Sequence, residues 1–155
     1  MKANNTIRMI WTVAVIGILL AGAAGVYAFS LGGKCEKVKA AAGVVSIPVA
    51  KVADGKAHYF RFDDGGKEIN FLVVKGSDGA YRTAFDACDV CFKEKKGYEQ
   101  KGDAMICKNC NKKFAIDRIG PHEVGGCNPS YLPSQVKGSN ITFTVTDLKA
   151  GARFF

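Results

Sequence analysis

The hydropathy pattern of the chain changes period twice. Residues 9–31 are uncharged and almost wholly apolar, a run of 23 positions with no polar face. About 20 helical residues cross a bilayer, so this pattern predicts a transmembrane anchor over 9–31, behind a short basic N-terminus (1–8) on the cytoplasmic side. The competing reading is a cleaved signal peptide, because Val26 and Ala28 are small residues placed as a signal peptidase requires. The run is longer than a usual signal core, which favours a retained anchor. On either reading the remainder of the chain is exported. Residues 32–43, rich in Lys, Gly and Ala, read as a tether with some helical character over 34–42.

From residue 44 the period falls to two. Alternation predicts strands over 44–49, where Pro48 marks an end or an edge, and over 57–62, with His58, Phe60 and Phe62 on one side. A turn at 63–66 leads to a return strand over 67–74, and a second turn at 77–79 leads to a strand over 81–85. Short strands follow at 104–106 and 112–116, the latter with Phe114 and Ile116 facing one way. A tight loop spans 125–129, and a closing strand runs over 141–146. No amphipathic helix of useful length is evident after the anchor. The predicted fold is therefore mainly β: one small antiparallel domain over 44–155.

Composition adds limits to this picture. A chain of 155 residues suits one domain with an appendage. The formal charge of +8 is spread along the chain and is not gathered in one run. No stripe of interleaved aromatic and basic residues is present, so nucleic-acid binding is not expected. There is no Ser–His–Asp set, carboxylate pair or phosphate loop, so hydrolytic chemistry has no support. A non-enzymatic carrier or binding module is expected instead.

The chemistry lies in the cysteines. Cys88 and Cys91 form one Cys-x-x-Cys pair, and Cys107 and Cys110 form another after fifteen intervening residues. Two thiolates three residues apart grip one ion from a tight turn, and two such turns supply four sulfurs. The four thiolates suit Zn²⁺ in a zinc-ribbon-like module, a mononuclear iron, or a small iron–sulfur cluster. The competing reading is disulfides in an exported, oxidising compartment, but adjacent Cys-x-x-Cys disulfides are usually redox-active and not structural. Asn111, directly after the second pair, suits a left-handed position. Lys93, Lys95, Lys96, Lys108, Lys112 and Lys113 flank the pairs and would offset thiolate charge or meet an acidic redox partner. Cys127, Cys35 and His122 are candidates for an additional ligand or a disulfide. His122, in a Pro-His-Glu loop, and His58, on a strand face, read more simply as an exposed and a packed residue.

With these residues laid out, the region from Gly55 to Leu132 resembles the exported domain of FtrD-like membrane iron–sulfur proteins. The residues carrying the likeness are FLVV (71–74), AFDACDVC (84–91), KGY (96–98), CKNC (107–110), Phe114, Ile116 with Asp117, and GGCNP (125–129). This chain has one N-terminal apolar segment where some members carry several. The resemblance implies an iron–sulfur centre, of the two-iron, two-sulfide type, at a bacterial cell membrane. With the single apolar segment read as an anchor, a single-pass protein with its domain on the periplasmic or extracellular side is expected. The resemblance also implies electron transfer to a membrane redox or permease partner in iron uptake. The order of pair, fifteen residues, pair, Gly-Pro loop and final strand is also similar to the cluster-binding part of Rieske domains, where two His hold one iron.

Overall fold

The computed structural model describes residues 35–155 except residue 124. The anchor expected over 9–31 lies outside the described residues. Among the described residues no helix is long and apolar enough to cross a membrane.

The strand that organises the fold is also its most apolar. β3 (His58–Asp64) and β4 (Lys67–Lys75) form a long hairpin in which Phe60 faces Phe71 and Phe62 faces Ile69. β5 (Tyr81–Phe85) pairs antiparallel with the other edge of β4. In a strand, successive side chains point to opposite faces, and in β4 both faces are buried. Ile69, Phe71 and Val73 join one apolar cluster, while Leu72 and Val74 join another. This is why the segment 69–74 reads as nearly continuous apolar sequence and not as simple alternation.

The first cluster fills the space between this sheet and a second one. β2 (Val44–Pro48) and β9 (Gln135–Lys137) flank β10 (Asn140–Thr144), both antiparallel to it. Val45, Ile47, Ile141 and Phe143 turn inward from the second sheet. Phe71 sits between Phe60 and Phe143, with ring centroids 5.6 and 5.0 Å away. The geometry is tilted, as aromatic quadrupoles prefer. The second cluster lies on the opposite face of β4, beneath a small third sheet of β6 (Tyr98–Lys101), β7 (Ala104–Cys107) and β8 (Lys113–Ala115).

The β-rich class expected from the sequence is observed, with four corrections. β1 (Cys35–Val38) is a strand and not helical tether, and it pairs parallel with β3, so the fold is not wholly antiparallel. β6 and β9 are further strands that alternation did not predict. The closing strand stops at Thr144, and α1 (Val145–Ala150) follows. The Thr144 hydroxyl accepts from the Asp147 N–H at 3.0 Å, so a capping contact turns the chain into a helix where the apolar alternation ran on.

Candidate metal centre

Three segments bring cysteines to one place. β5 delivers the chain to Cys88, and the backbone N–H of Cys91 donates to the Cys88 Sγ at 3.2 Å, closing the first pair into a turn. β7 ends on Cys107. There the Asn111 N–H bonds the Cys107 carbonyl at 2.9 Å and the Cys107 N–H bonds the Lys112 carbonyl at 3.0 Å. Asn111 takes the left-handed conformation expected of it, with φ 59°. The third segment carries Cys127. It is strapped along β5 by the Ser130 N–H to the Ala87 carbonyl at 2.9 Å and the Phe85 N–H to the Ser130 carbonyl at 2.8 Å. These bonds hold the Cys127 loop beside the first pair, 36 residues from Cys91 in sequence.

Five sulfurs converge as a result. Those of Cys88, Cys91 and Cys127 lie within 4.8 Å of one another, as do those of Cys91, Cys107 and Cys110. The Cys127 Sγ is 3.6 Å from that of Cys91 and 3.3 Å from that of Cys110. Cys88 and Cys107 are buried, at 1% and 2% exposure, while Cys110 is exposed and Cys91 and Cys127 are intermediate. A cleft of about 560 Å³ opens beside them, lined among others by Cys88, Cys91, Cys107, Asp86, Phe92 and Lys95.

The surroundings act on the thiols unequally. Burial pushes the Cys107 thiol up to about 11, against N–H donors from Cys110 and Asn109. Burial also raises Cys88, but hydrogen bonds from Tyr98, the Cys91 and Val90 N–H groups and Cys127 together outweigh it, and the net shift is downward. Cys110 is lowered to about 7, chiefly by the Lys112 backbone N–H. Cys127 moves up, through burial and then its bonds to Cys110 and Cys91. Donors aimed at sulfur are the outer contacts that tune thiolate ligands. The flanking lysines 93, 95, 96, 108, 112 and 113 are all exposed, and Lys96 reaches the Asn109 side chain at 3.0 Å, linking the segments after the first pair and inside the second.

Tyr98, part of the KGY (96–98) that carries the family likeness, has a role that sequence reasoning did not assign. Its hydroxyl donates to the Cys127 carbonyl at 2.8 Å and stands within bonding reach of the Cys88 sulfur. Its backbone N–H donates to Asp86 at 2.7 Å. Gly97 permits that bond, because with φ 65° a Cβ there would stand 2.5 Å from the Asp86 carboxylate. The signal available in sequence was only a Gly-Tyr ahead of a cysteine strand. Cys35 stands apart from both sulfur groups, at the start of β1 opposite Tyr59. His122 is exposed and lines a different surface pocket with Arg82, Asp117 and Tyr131. His58 bonds Asp54 at 2.7 Å.

The donor set fits a soft or borderline metal. Two thiolates on one tetrahedral ion with bonds near 2.3 Å stand about 3.8 Å apart, and the sulfur separations here bracket the compact arrangement such a group needs. Neither the curated proteins nor the solved structures contain a match to this chain. The sequence model of one protein family does match, over residues 52–155, and it is described as membrane iron-sulfur containing protein FtrD-like. That match takes in both Cys-x-x-Cys pairs and Cys127 and continues to Phe155, past the motifs that carry the resemblance. The chain belongs to the FtrD-like membrane iron–sulfur protein family.

Proposed function

We propose that this protein is a membrane-anchored electron carrier whose iron–sulfur cluster, of the two-iron, two-sulfide type, is held by Cys88, Cys91, Cys107 and Cys110. The observation that carries the reading is that both Cys-x-x-Cys turns contribute to two sulfur groups joined at Cys91, in a member of this family. In this reading the two turns act as metal knuckles on a Rieske-like or zinc-ribbon-like β-domain. The group supplies one-electron chemistry when bound. The chain's own residues hold the sulfurs in the turns that follow β5 and β7, aim backbone N–H groups and the Tyr98 hydroxyl at them, and keep Cys88 and Cys107 from water. All-thiolate ligation sets a lower potential than His ligation would.

The segment 9–31 anchors the domain in a bacterial cell membrane, in a single pass, on the periplasmic or extracellular side. The partner is a membrane redox or permease protein of an iron-uptake system, and the carrier needs no substrate of its own. The test is a redox titration of anaerobically purified full-length protein. Reversible one-electron bleaching and recovery of the visible bands supports the carrier, and a redox-silent protein contradicts it.

A second reading, a structural four-thiolate zinc module of an interaction domain, draws on the same cysteine groups, since Zn²⁺ accepts the same thiolates. A mononuclear iron accepts the same donors. A colourless protein with one zinc per chain selects the zinc module.

A further inference from the structure

The two sulfur groups joined at Cys91 hold five sulfurs between them, one more than a four-thiolate centre takes, and they are not equivalent. Cys88, three residues past β5, and Cys107, the last residue of β7, are buried, and Cys91 belongs to both sulfur groups. These three form the inner part of the donor set, although Cys91 too lies close to Cys127, at 3.6 Å. The remaining two, Cys110 and Cys127, face each other at 3.3 Å. That is closer than the roughly 3.8 Å that two ligands of one tetrahedral four-thiolate ion keep. They therefore fit one ligand position better than two. They also reach it from different segments: Cys110 from the exposed end of the β7–β8 turn, and Cys127 from the loop strapped to β5.

We infer that Cys110 and Cys127 are alternative thiolates for a single fourth ligand position, so that the centre has two interchangeable ligation states. The inference rests on the thiolate metal site proposed above. Exchange breaks the metal bond to the Cys110 sulfur and forms one to the Cys127 sulfur. One proton passes from the Cys127 thiol to the Cys110 thiolate, and no electron is transferred. The two states differ in surroundings: Cys110 is exposed beside the Lys112 N–H, whereas Cys127 is half-buried with its own carbonyl held by Tyr98. Solvent exposure and hydrogen bonding to sulfur both set the potential of a thiolate-bound iron centre. The swap therefore gives the centre two potentials without changing its ligand count.

The test uses Co²⁺ added to the reduced, metal-free full-length chain, because its thiolate charge-transfer absorption counts sulfur ligands whatever the native metal is. Unsubstituted protein, Cys110→Ser, Cys127→Ser, the double substitution and Cys107→Ser are compared, with iron and sulfide assayed in parallel on protein purified anaerobically. The expected result is a full four-thiolate spectrum in each of the two single variants at the outer position, with affinity within a few-fold of the unsubstituted chain. The double variant then falls to a three-thiolate spectrum with affinity reduced at least tenfold, as Cys107→Ser does alone. Full retention in Cys127→Ser with loss in Cys110→Ser overturns the inference, as does loss in both. Retention in the double variant overturns it too. Absence of iron and sulfide in the native protein defeats the iron–sulfur reading and leaves the cobalt result to decide the exchange. Failure of the unsubstituted chain to bind cobalt overturns both. Both outer side chains are solvent-accessible, so Ser is expected to leave the fold intact, and Cys127→Ala repeats the comparison without an oxygen donor.

Discussion

The two faces of β4 support two different kinds of interior. On one, Phe71 packs against Phe60 and Phe143 in a cluster of aliphatic and aromatic side chains without a cysteine. On the other, Leu72 and Val74 pack beneath a cluster that includes Cys88, Tyr98 and Cys107, with Cys91 and Cys127 against it. The first interior is closed by two sheets and needs nothing else. The second is roofed by three short strands and by loops, including the left-handed positions Lys95, Gly97 and Asn111. Apolar burial alone stabilises the first, while the second gathers thiols that repel once ionised. One strand thus separates a self-sufficient scaffold from a region whose order depends on what its sulfurs hold.

The sharpest way to break this comparison is to remove the metal. Thiolate metal binding in small domains contributes about 10–16 kcal/mol to folding in the best-studied cases. Chelation of the reduced protein is expected to speed amide exchange of β6, β7 and β8 by orders of magnitude while β3, β4 and β10 stay protected. Uniform loss of protection, or none, would show that the two regions are one cooperative unit. Next in size is Phe71→Ala, which opens a cavity in the scaffold and costs about 3–5 kcal/mol. A denaturant titration should show that loss, with unchanged metal content per folded molecule. Smaller again is Tyr98→Phe, which removes one hydroxyl donor and costs about 1 kcal/mol. It should shift the visible spectrum and potential of the centre and leave the exchange of β10 unaltered.

The smallest effect is in proton linkage, measured on metal-free protein. Cys110 is depressed to about 7 from an ordinary 9.0, so its ionisation stabilises the fold fully above pH 9 and that contribution is lost as pH falls to 7. Cys107 is raised to about 11, so its contribution is present below pH 9 and is lost as pH rises towards 11. Since the thiolate is the reactive form, peptide mapping after iodoacetamide treatment at pH 8 should find Cys110 alkylated before Cys107. The reverse order would contradict the burial assigned to the two ends of this turn.

Much of the scaffold could be read from alternation, because β2 to β5 and β10 carry their own inward residues. What was missed has no such signal. β1 is a short Cys-Glu-Lys-Val stretch whose partner, β3, lies more than twenty residues on and runs parallel, so only tertiary pairing makes it a strand. β9 is three exposed residues at an edge, with Val136 57% exposed. β6 is polar and is defined by its hairpin partner β7. The turn into α1 was available as Thr144 followed by Asp147, a short capping pattern, which the alternation of 141–146 concealed. At the candidate site the two Cys-x-x-Cys pairs were plain. The place of Cys127 was not, because it depends on the Ser130 strap along β5. That Cys35 and His122 fall in neither sulfur group likewise comes from the fold and not from spacing.

The most direct measurement is the iron and acid-labile sulfide content of the full-length protein purified without oxygen, with its visible absorption. The account predicts a brown protein with iron and sulfide in equal amounts, both lost in Cys88→Ser and in Cys107→Ser while β3, β4 and β10 remain folded. A colourless protein, or full metal content in Cys107→Ser, would contradict it.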